Sequence, residues 1–291
     1  MSGIPILRTV EDVRITVDHW RCSGRTIGFV PTMGVLHQGH LSLVSLALEH
    51  ADRVIVSIFV NPAQFGPDED FELYPRTLGD DVEKLGEVGA NAVFIPEKDT
   101  IYPDGFSTSV HVSNLTDTLC GKYRSGHFDG VATVCAIFFG ILQPDIAVFG
   151  RKDAQQLAVI KRMVLDQRFA IKIIGADIYR ERDGLAMSSR NRYLRPAERV
   201  QATALFRGLS RAAELACKGE RDAGRLREVA RQIIEKSPLA VIQYLEIVDQ
   251  DTMKSVEKLD GPGLLAVSAY FGKTRLIDNI VLDPDASYKE D

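Results

Sequence analysis

Two histidines three residues apart, His37 and His40, close the run Pro31-Thr32-Met33-Gly34-Val35-Leu36-His37-Gln38-Gly39-His40. An apolar, β-branched segment, Thr26 to Pro31, leads into it and a helical pattern starts near Gly39, so both histidines fall on a strand-to-helix turn. A helix start presents backbone N–H groups and a partial positive charge, which suits a phosphate. Gly34 and Gly39 let the backbone approach such a group closely. The same location favours neutral imidazole, whose N–H can donate to charge developing on a phosphate. A lone histidine here is more often a cap or a surface residue; two within one glycine-bearing turn favour chemistry. Zinc is the weaker reading, because no H-E-x-x-H and no obvious third ligand lie nearby, and no metal ligand is assigned.

Other clusters are spaced along the chain. Asn61 and Gln64 flank Pro62 in a turn after a second apolar segment, Arg53 to Val60, and their amides suit a hydroxyl or a carboxylate. Gly150-Arg151-Lys152-Asp153 follows the segment Asp145 to Phe149 and opens a helix bearing Gln155 and Gln156. There a lysine can set a point charge beside a phosphate; the plainer alternative is an exposed basic turn with Asp153 as helix cap. Met187-Ser188-Ser189-Arg190 offers two hydroxyls, backbone amides and a guanidinium, the equipment for terminal phosphates, with Asp183-Gly184 as a turn before it. A basic, glycine-rich stretch, Cys120 to Gly130, holds Arg124 and His127. Asp80 and Asp81 open a further helix, where a pair of carboxylates is favourable on dipole grounds alone.

The elements that must position these groups alternate. Strands Thr26 to Pro31, Arg53 to Val60, Ala92 to Ile95, Asp145 to Phe149 and Ala170 to Ile174 are interleaved with helices Gly39 to His50, Asp81 to Val88, Gly130 to Leu142 and Ala154 to Asp166. Apolar strands separated by crossover helices imply a parallel sheet covered on both faces, which binds ligands at the carboxyl ends of its strands. After about Asp183 the pattern changes: a long helix from Pro196 to Cys217, a second from Ala223 to Lys236, then strands Val241 to Val248, Leu264 to Phe271 and Arg275 to Leu282. The expected organisation is a domain over 1–183 and a smaller α+β domain over 184–291, ending in an acidic tail, Asp283 to Asp291, read as a frayed end.

Composition sets the outer limits. The 291 residues are 45% hydrophobic and 26% charged, which excludes disordered and fibrous classes. With 35 basic and 40 acidic residues the net charge is -5, so a broad grip on nucleic acid is not expected and an anionic ligand must be held by a few placed groups. Four separated cysteines, Cys22, Cys120, Cys135 and Cys217, read as reduced thiols of a cytoplasmic protein. No secretory leader is expected at Met1 to Arg8, and the longest apolar run, Val131 to Leu142, is too short to span a bilayer and reads as a buried helix.

The H-x-G-H turn resembles the signature of the nucleotidylyl transferases and class I aminoacyl-tRNA synthetases. Taken with Phe59-Val60-Asn61-Pro62-Ala63-Gln64-Phe65, Phe149-Gly150-Arg151-Lys152-Asp153 and Met187-Ser188-Ser189-Arg190-Asn191, the chain resembles the pantoate–β-alanine ligase family over nearly its whole length. The resemblance implies a Rossmann-like parallel sheet of H-x-G-H type with a smaller C-terminal α+β domain. It also implies ATP-dependent joining of (R)-pantoate to β-alanine through pantoyl-adenylate, with Mg²⁺, in a homodimer that binds neither nucleic acid nor membrane. By the same resemblance His37, His40 and Lys152 are catalytic, and Asn61, Gln64, Arg124, His127 and Gln156 hold pantoate or lie beside it. The nucleotide falls to Met33, Gly34, Val35, Leu36, Gln38, Gly39 and both histidines, to Gly150, Arg151, Lys152 and Asp153, to the backbone of Tyr179, and to Met187, Ser188, Ser189 and Arg190. Met187 to Arg190 stands where synthetases carry a lysine-bearing loop. Cys120 stands where some family members have glutamate, so no carboxylate role transfers there. The rival readings are another H-x-G-H adenylyltransferase and a non-catalytic nucleotide sensor. The first would not need the Asn61 and Gln64 turn, and the second could lose Lys152 or the serines. A tRNA synthetase is disfavoured by the acidic balance.

Overall fold

The structure, a computed structural model, describes residues 3–67, 69 and 71–285; most of the acidic tail lies outside these. In chain order the elements are β1 (Ile6–Leu7), α1 (Val10–Cys22), β2 (Ile27–Thr32), α2 (Gln38–His50), β3 (Arg53–Ile58), α3 (Leu78–Val88), β4 (Ala92–Phe94), α4 (Lys98–Ile101), α5 (Leu119–Tyr123), α6 (His127–Leu142), β5 (Ile146–Gly150), α7 (Ala154–Asp166) and β6 (Lys172–Ala176). They continue with α8 (Pro196–Ala202), α9 (Ala204–Cys217), α10 (Ala223–Ile234), β7 (Ala240–Val248), β8 (Gly263–Phe271) and β9 (Thr274–Leu282). Single 3₁₀ turns cover Pro62–Gln64, Arg151–Asp153 and Ser189–Tyr193.

Two compact units result. One comprises the chain up to Ser113 with Arg124–Arg151 and Val159–Asp177; the other comprises Asn114–Tyr123, Lys152–Ala158 and the chain from Ile178 onward. Two short internal segments, Asn114–Tyr123 and Lys152–Ala158, thus group with the C-terminal half.

The first unit is a parallel sheet in the order β1-β4-β3-β2-β5-β6, with Phe29 of β2 opposite Ile55 of β3 and Ala147 of β5. Its strands are apolar because both faces are covered: Ile27, Phe29, Val30, Val54, Ile55 and Val56 are fully buried. Eleven of the sixteen residues of α6 are buried, and Phe138 packs edge-on to Phe29 and Phe94, so the apolar run is a core helix as its sequence implies. Among the described residues no helix is long and apolar enough to cross a membrane. Since β3, β2 and β5 are adjacent, their carboxyl ends carry the turns of Asn61, His37 and Arg151 side by side.

The reading from sequence omits β1 and α1. Only Val13 and Val17 of α1 are buried, so its apolar stripe is narrow; what starts it is a capping box. The Asp12 amide donates to Thr9 Oγ1 at 3.0 Å, and the Thr9 amide to Asp12 Oδ2 at 3.1 Å. The expected helix from Pro196 to Cys217 is two helices, α8 and α9, meeting at Thr203, whose hydroxyl bonds the Val200 carbonyl instead of continuing one uninterrupted pattern.

In the second unit α9 and α10 pack with the antiparallel sheet β7-β8-β9 around Leu205, Leu209, Leu226, Ile234, Leu265 and Phe271. A bulge between Ile242 and Tyr244 interrupts β7, and Gln243 there accepts from Arg275 at 2.9 Å and Ser268 at 3.2 Å.

Candidate active site

The turn after β2 is fixed from below. Thr32 Oγ1 donates to the Ser57 carbonyl at 2.7 Å and accepts the Gly34 amide at 3.2 Å. The next two amides, Val35 and Leu36, donate to the two oxygens of Asp81, at 2.8 and 2.7 Å. Asp81 sits in the first turn of α3 and is 1% exposed; the Thr77 hydroxyl also donates to it, at 3.1 Å. The dipole reading of Asp81 is thus only part of its role. Gly34, Val35 and Leu36 thus use their amides to shape the turn that presents His37 and His40. His37 is the N-cap of α2 and His40 lies in its first turn, their rings stacked at 4.0 Å and 25°. The His37 amide donates to His40 Nδ1 at 3.4 Å.

The turn after β3 is built around Asn61, 1% exposed. Its Nδ2 donates to the Gly130 carbonyl at 3.0 Å and to Gln64 Oε1 at 3.1 Å, and its Oδ1 accepts from Tyr102 at 2.8 Å and the Ala63 amide at 3.2 Å. That uses the full hydrogen-bonding capacity of the amide, so Asn61 acts on Gln64 rather than beyond it. Burial raises the Tyr102 hydroxyl to about 12, which keeps it a donor. The Gln64 side-chain amide also contacts Met33 Sδ.

Arg124 and His127 flank the same turn. Arg124 donates through Nε and NH2 to both oxygens of Glu69, at 2.7 and 2.6 Å, and its NH1 meets His127 Nε2 at 2.8 Å. A guanidinium cannot accept, so Nε2 is the acceptor and Nδ1 carries the proton, which it donates to the Gln64 carbonyl at 2.8 Å. Glu69 is missing from the sequence reading: it lies in an acidic loop with nothing to distinguish it from its neighbours. On the β5 side, Arg151 Nε donates to the Gly175 carbonyl at 3.1 Å and pairs with Asp177 at 3.3 Å.

The second unit carries the remaining groups. Lys152, half-buried, has its ammonium 3.8 Å from Asp153 Oδ1, and its carbonyl accepts from Asn279 Nδ2 at 2.9 Å. Gln155 is buried and committed to the backbone: it donates to the Leu115 and Thr118 carbonyls at 2.9 and 2.7 Å and accepts the Cys120 amide at 2.9 Å. Its neighbour Gln156 is only half-buried. Cys120 Sγ lies 3.1 Å from the Tyr244 hydroxyl and accepts from Arg275 at 3.4 Å.

The segment before the serines is a small hairpin. Met187 N–H donates to the Tyr179 carbonyl at 2.9 Å and Glu181 N–H to the Leu185 carbonyl at 2.8 Å, with Gly184 at φ +89 in the turn. A Cβ on Gly184 would lie 2.0 Å from the Phe206 ring. Arg180 holds the hairpin to β9 through both oxygens of Asp278, at 2.7 and 3.0 Å, and lies over the Phe206 ring at 4.3 Å. Burial pushes the Asp278 carboxyl above its usual range despite Arg180. Beyond the hairpin, Ser188 caps the turn containing Ser189 and Arg190, its Oγ accepting the Arg190 amide at 3.3 Å. Asn191 ties that turn back, donating to Glu181 at 2.8 Å and to the Ala186 carbonyl at 3.2 Å.

A parallel sheet with H-x-G-H on the turn after β2, and glycine-lysine after β5, defines the class: a Rossmann-like α/β enzyme of nucleotidylyl transferase type. The comparisons narrow it. The sequence model of the pantoate-beta-alanine ligase family matches residues 5–281. Pantothenate synthetase of Clostridium novyi (strain NT) is 50% identical over 275 residues, 94% of this chain and 97% of the relative. That of Heliobacterium modesticaldum is 53% identical over 260 residues, 89% and 92% of the two chains. The crystal structure of pantothenate synthetase from Thermus thermophilus superposes with a TM-score of 0.92 at 40% identity, covering 97% of this chain and all of that one. That of pantoate-beta-alanine ligase from Francisella tularensis, complexed with beta-gamma ATP and beta-alanine, gives 0.79 at 34% identity, covering 96% and 98%. The chain belongs to the pantoate-beta-alanine ligase family, and so to the ligases of pantothenate synthesis.

Proposed function

We propose that the chain condenses (R)-pantoate with β-alanine at the expense of ATP, giving pantothenate, AMP and pyrophosphate, and that the residues above divide the work as follows. The pantoate carboxylate attacks the α-phosphate and pyrophosphate leaves; the β-alanine amine then attacks the activated carbonyl and AMP leaves. The chain-long family match, together with a 34% identical relative crystallised with beta-gamma ATP and beta-alanine, carries the reading.

His37 and His40 donate to charge developing on the phosphates in the adenylation step, and Lys152 adds a point charge there. Ser188, Ser189 and Arg190 take the terminal phosphates, Met187 and the Tyr179 backbone the base side, and Asp153 the ribose. Gly34, Val35 and Leu36 shape the nucleotide turn, while Gln38, Gly39, Gly150 and Arg151 border it. Gln64 and Gln156 hold pantoate, with Asn61, Arg124 and His127 setting the position of Gln64. Among the described residues no cluster of three or more His, Cys, Asp or Glu is placed to hold a metal ion. Mg²⁺ would come with the ATP phosphates whose charge it neutralises, and no step is assigned to it. The 1–183 and 184–291 division, a homodimer and a cytoplasmic location complete the reading.

Incubating the protein with ATP, Mg²⁺ and pantoate, with and without β-alanine, and following AMP tests the reaction; AMP release indifferent to both substrates refutes it. His40→Ala should leave pantoate binding nearly intact and abolish pantoate-dependent pyrophosphate exchange, which needs no β-alanine. Normal exchange in that variant would remove the histidine assignment.

A further inference from the structure

Gly34 and Val35 both have positive φ, +80 and +54. Glycine accepts that at no cost, but for a β-branched residue it is an outlier that persists only where the surroundings over-determine it. Val35 is 3% exposed, and Asp81 supplies the constraint. One carboxylate receives the amides of two successive residues, 35 and 36, so its two oxygens dictate the direction of both peptide planes just before His37. Its charge is compensated in place by those amides, by the Thr77 hydroxyl and by its seat in the first turn of α3. The fit is close: a Cβ on Gly34 would come within 3.1 Å of Asp81 Oδ2. Lys84, one turn further along α3, donates to the Leu36 carbonyl at 3.0 Å, so the same helix grips the turn by its amides and its carbonyl.

We propose that Asp81 is the positioning residue of the histidine turn: its buried carboxylate holds the strained Val35–Leu36 backbone, and through it aims His37 and His40. The proposal rests on the histidines serving the adenylation step, as read above. It gives the carboxylate a use that needs no metal, since three donors already meet its two oxygens.

Asp81→Asn keeps the shape but turns an N–H toward one of the two amides. The expected result is a fall of about 100-fold in kcat for pantoate-dependent pyrophosphate exchange, the scale of a displacement of about 1 Å at a reacting group. KM for pantoate should stay within about three-fold, since that subsite is built by Asn61 and Gln64. By amide hydrogen exchange, Val35 and Leu36 should lose protection while the strands β2 and β3 keep theirs. Thr77→Val, which removes only the third donor, should give a smaller loss, about three- to ten-fold, and serves where Asp81→Asn fails to fold. Unchanged protection of both amides overturns the proposal, as does a kcat within two-fold of wild type. Recovery of Asp81→Asn in excess Mg²⁺ would assign the carboxylate to a metal and also overturn it. If wild-type protein makes no AMP at all, the functional reading fails instead, and the exchange of the two amides alone tests the clamp.

Discussion

Replacing Gly130 by alanine tests whether the Gln64 turn, the proposed pantoate side of the site, depends on backbone-to-backbone packing. Gly130 lies in the first turns of α6, where a Cβ would fall 2.1 Å from the Ala63 oxygen, 2.4 Å from its carbonyl carbon and 2.7 Å from the Gln64 nitrogen. All three are backbone atoms and cannot swing aside. A carbon sits about 3.3 Å or more from a carbonyl oxygen, so the helix and the 61–65 turn must part by roughly 1 Å. That separation also stretches the 3.0 Å bond from Asn61 Nδ2 to the Gly130 carbonyl beyond hydrogen-bonding range. Overpacking costs about 1–3 kcal/mol and the lost buried bond about 1 kcal/mol more, for roughly 2–4 kcal/mol in all. At roughly 2–4 °C per kcal/mol, the melting temperature should fall by about 5–15 °C. Because Gln64 moves with the turn, KM for pantoate should rise about tenfold while KM for ATP changes little. Thermal melts and initial rates against pantoate check both. A variant melting within about 2 °C of wild type with an unchanged pantoate KM would refute the reasoning.

Two perturbations probe the buried polar groups. Arg180→Met strips Asp278 of its counterion and should destabilise the protein by about 3–5 kcal/mol at pH 8. Burial already holds the Asp278 carboxyl above its ordinary range, and losing Arg180 raises it further; stability is then greatest at low pH and is lost as pH rises through the folded-state value, so the gap to wild type narrows at pH 5. Melting curves across that range check the sign, and a gap that widens on acidification contradicts it. Tyr102→Phe removes a donor from Asn61 and should cost about 1 kcal/mol equally at pH 6 and pH 9, because burial puts the hydroxyl at about 12; chemical denaturation at both values measures it.

The sheet and both halves of the chain were legible in the sequence because apolar strand runs and crossover helices are strong periodic signals. What escaped was stabilised by other means. Helix α1 depends on a capping box and two buried valines, and β1 is two residues long. The split at Thr203 is a local hydroxyl-to-carbonyl competition with no periodic trace. Among the candidate site residues, those of distinctive type and spacing stand out in the sequence, whereas Glu69, Asp278 and Asn279 sit in ordinary acidic or strand contexts and acquire meaning only from partners such as Arg124, Arg180 and the Lys152 carbonyl, 55 to 127 positions away. Asp81 was noticed as one of a pair of helix-opening carboxylates, but its grip on Val35 and Leu36 depends on a fold contact across 46 and 45 positions.

The same division bears on the proposed reading, in which an acidic chain offers placed groups to an anionic nucleotide. Each candidate turn has a polar residue with at least one hydrogen bond to backbone: Asp81 for the histidine turn, Asn61 for the Gln64 turn, Asn279 for Lys152, and the half-buried Asn191 for the serine turn. Ordering a free loop residue costs about 1–2 kcal/mol, a cost that substrate binding would otherwise bear for every residue in these turns. Making those bonds during folding fixes each turn by itself, so that on the proposed reading binding energy can go to the transition state. Exchanging a reactive side chain should therefore remove a donor at constant geometry, whereas exchanging a holder should leave every donor present and misplace it. The two kinds of variant are separable: the first loses rate with amide protection intact, and the second loses both together.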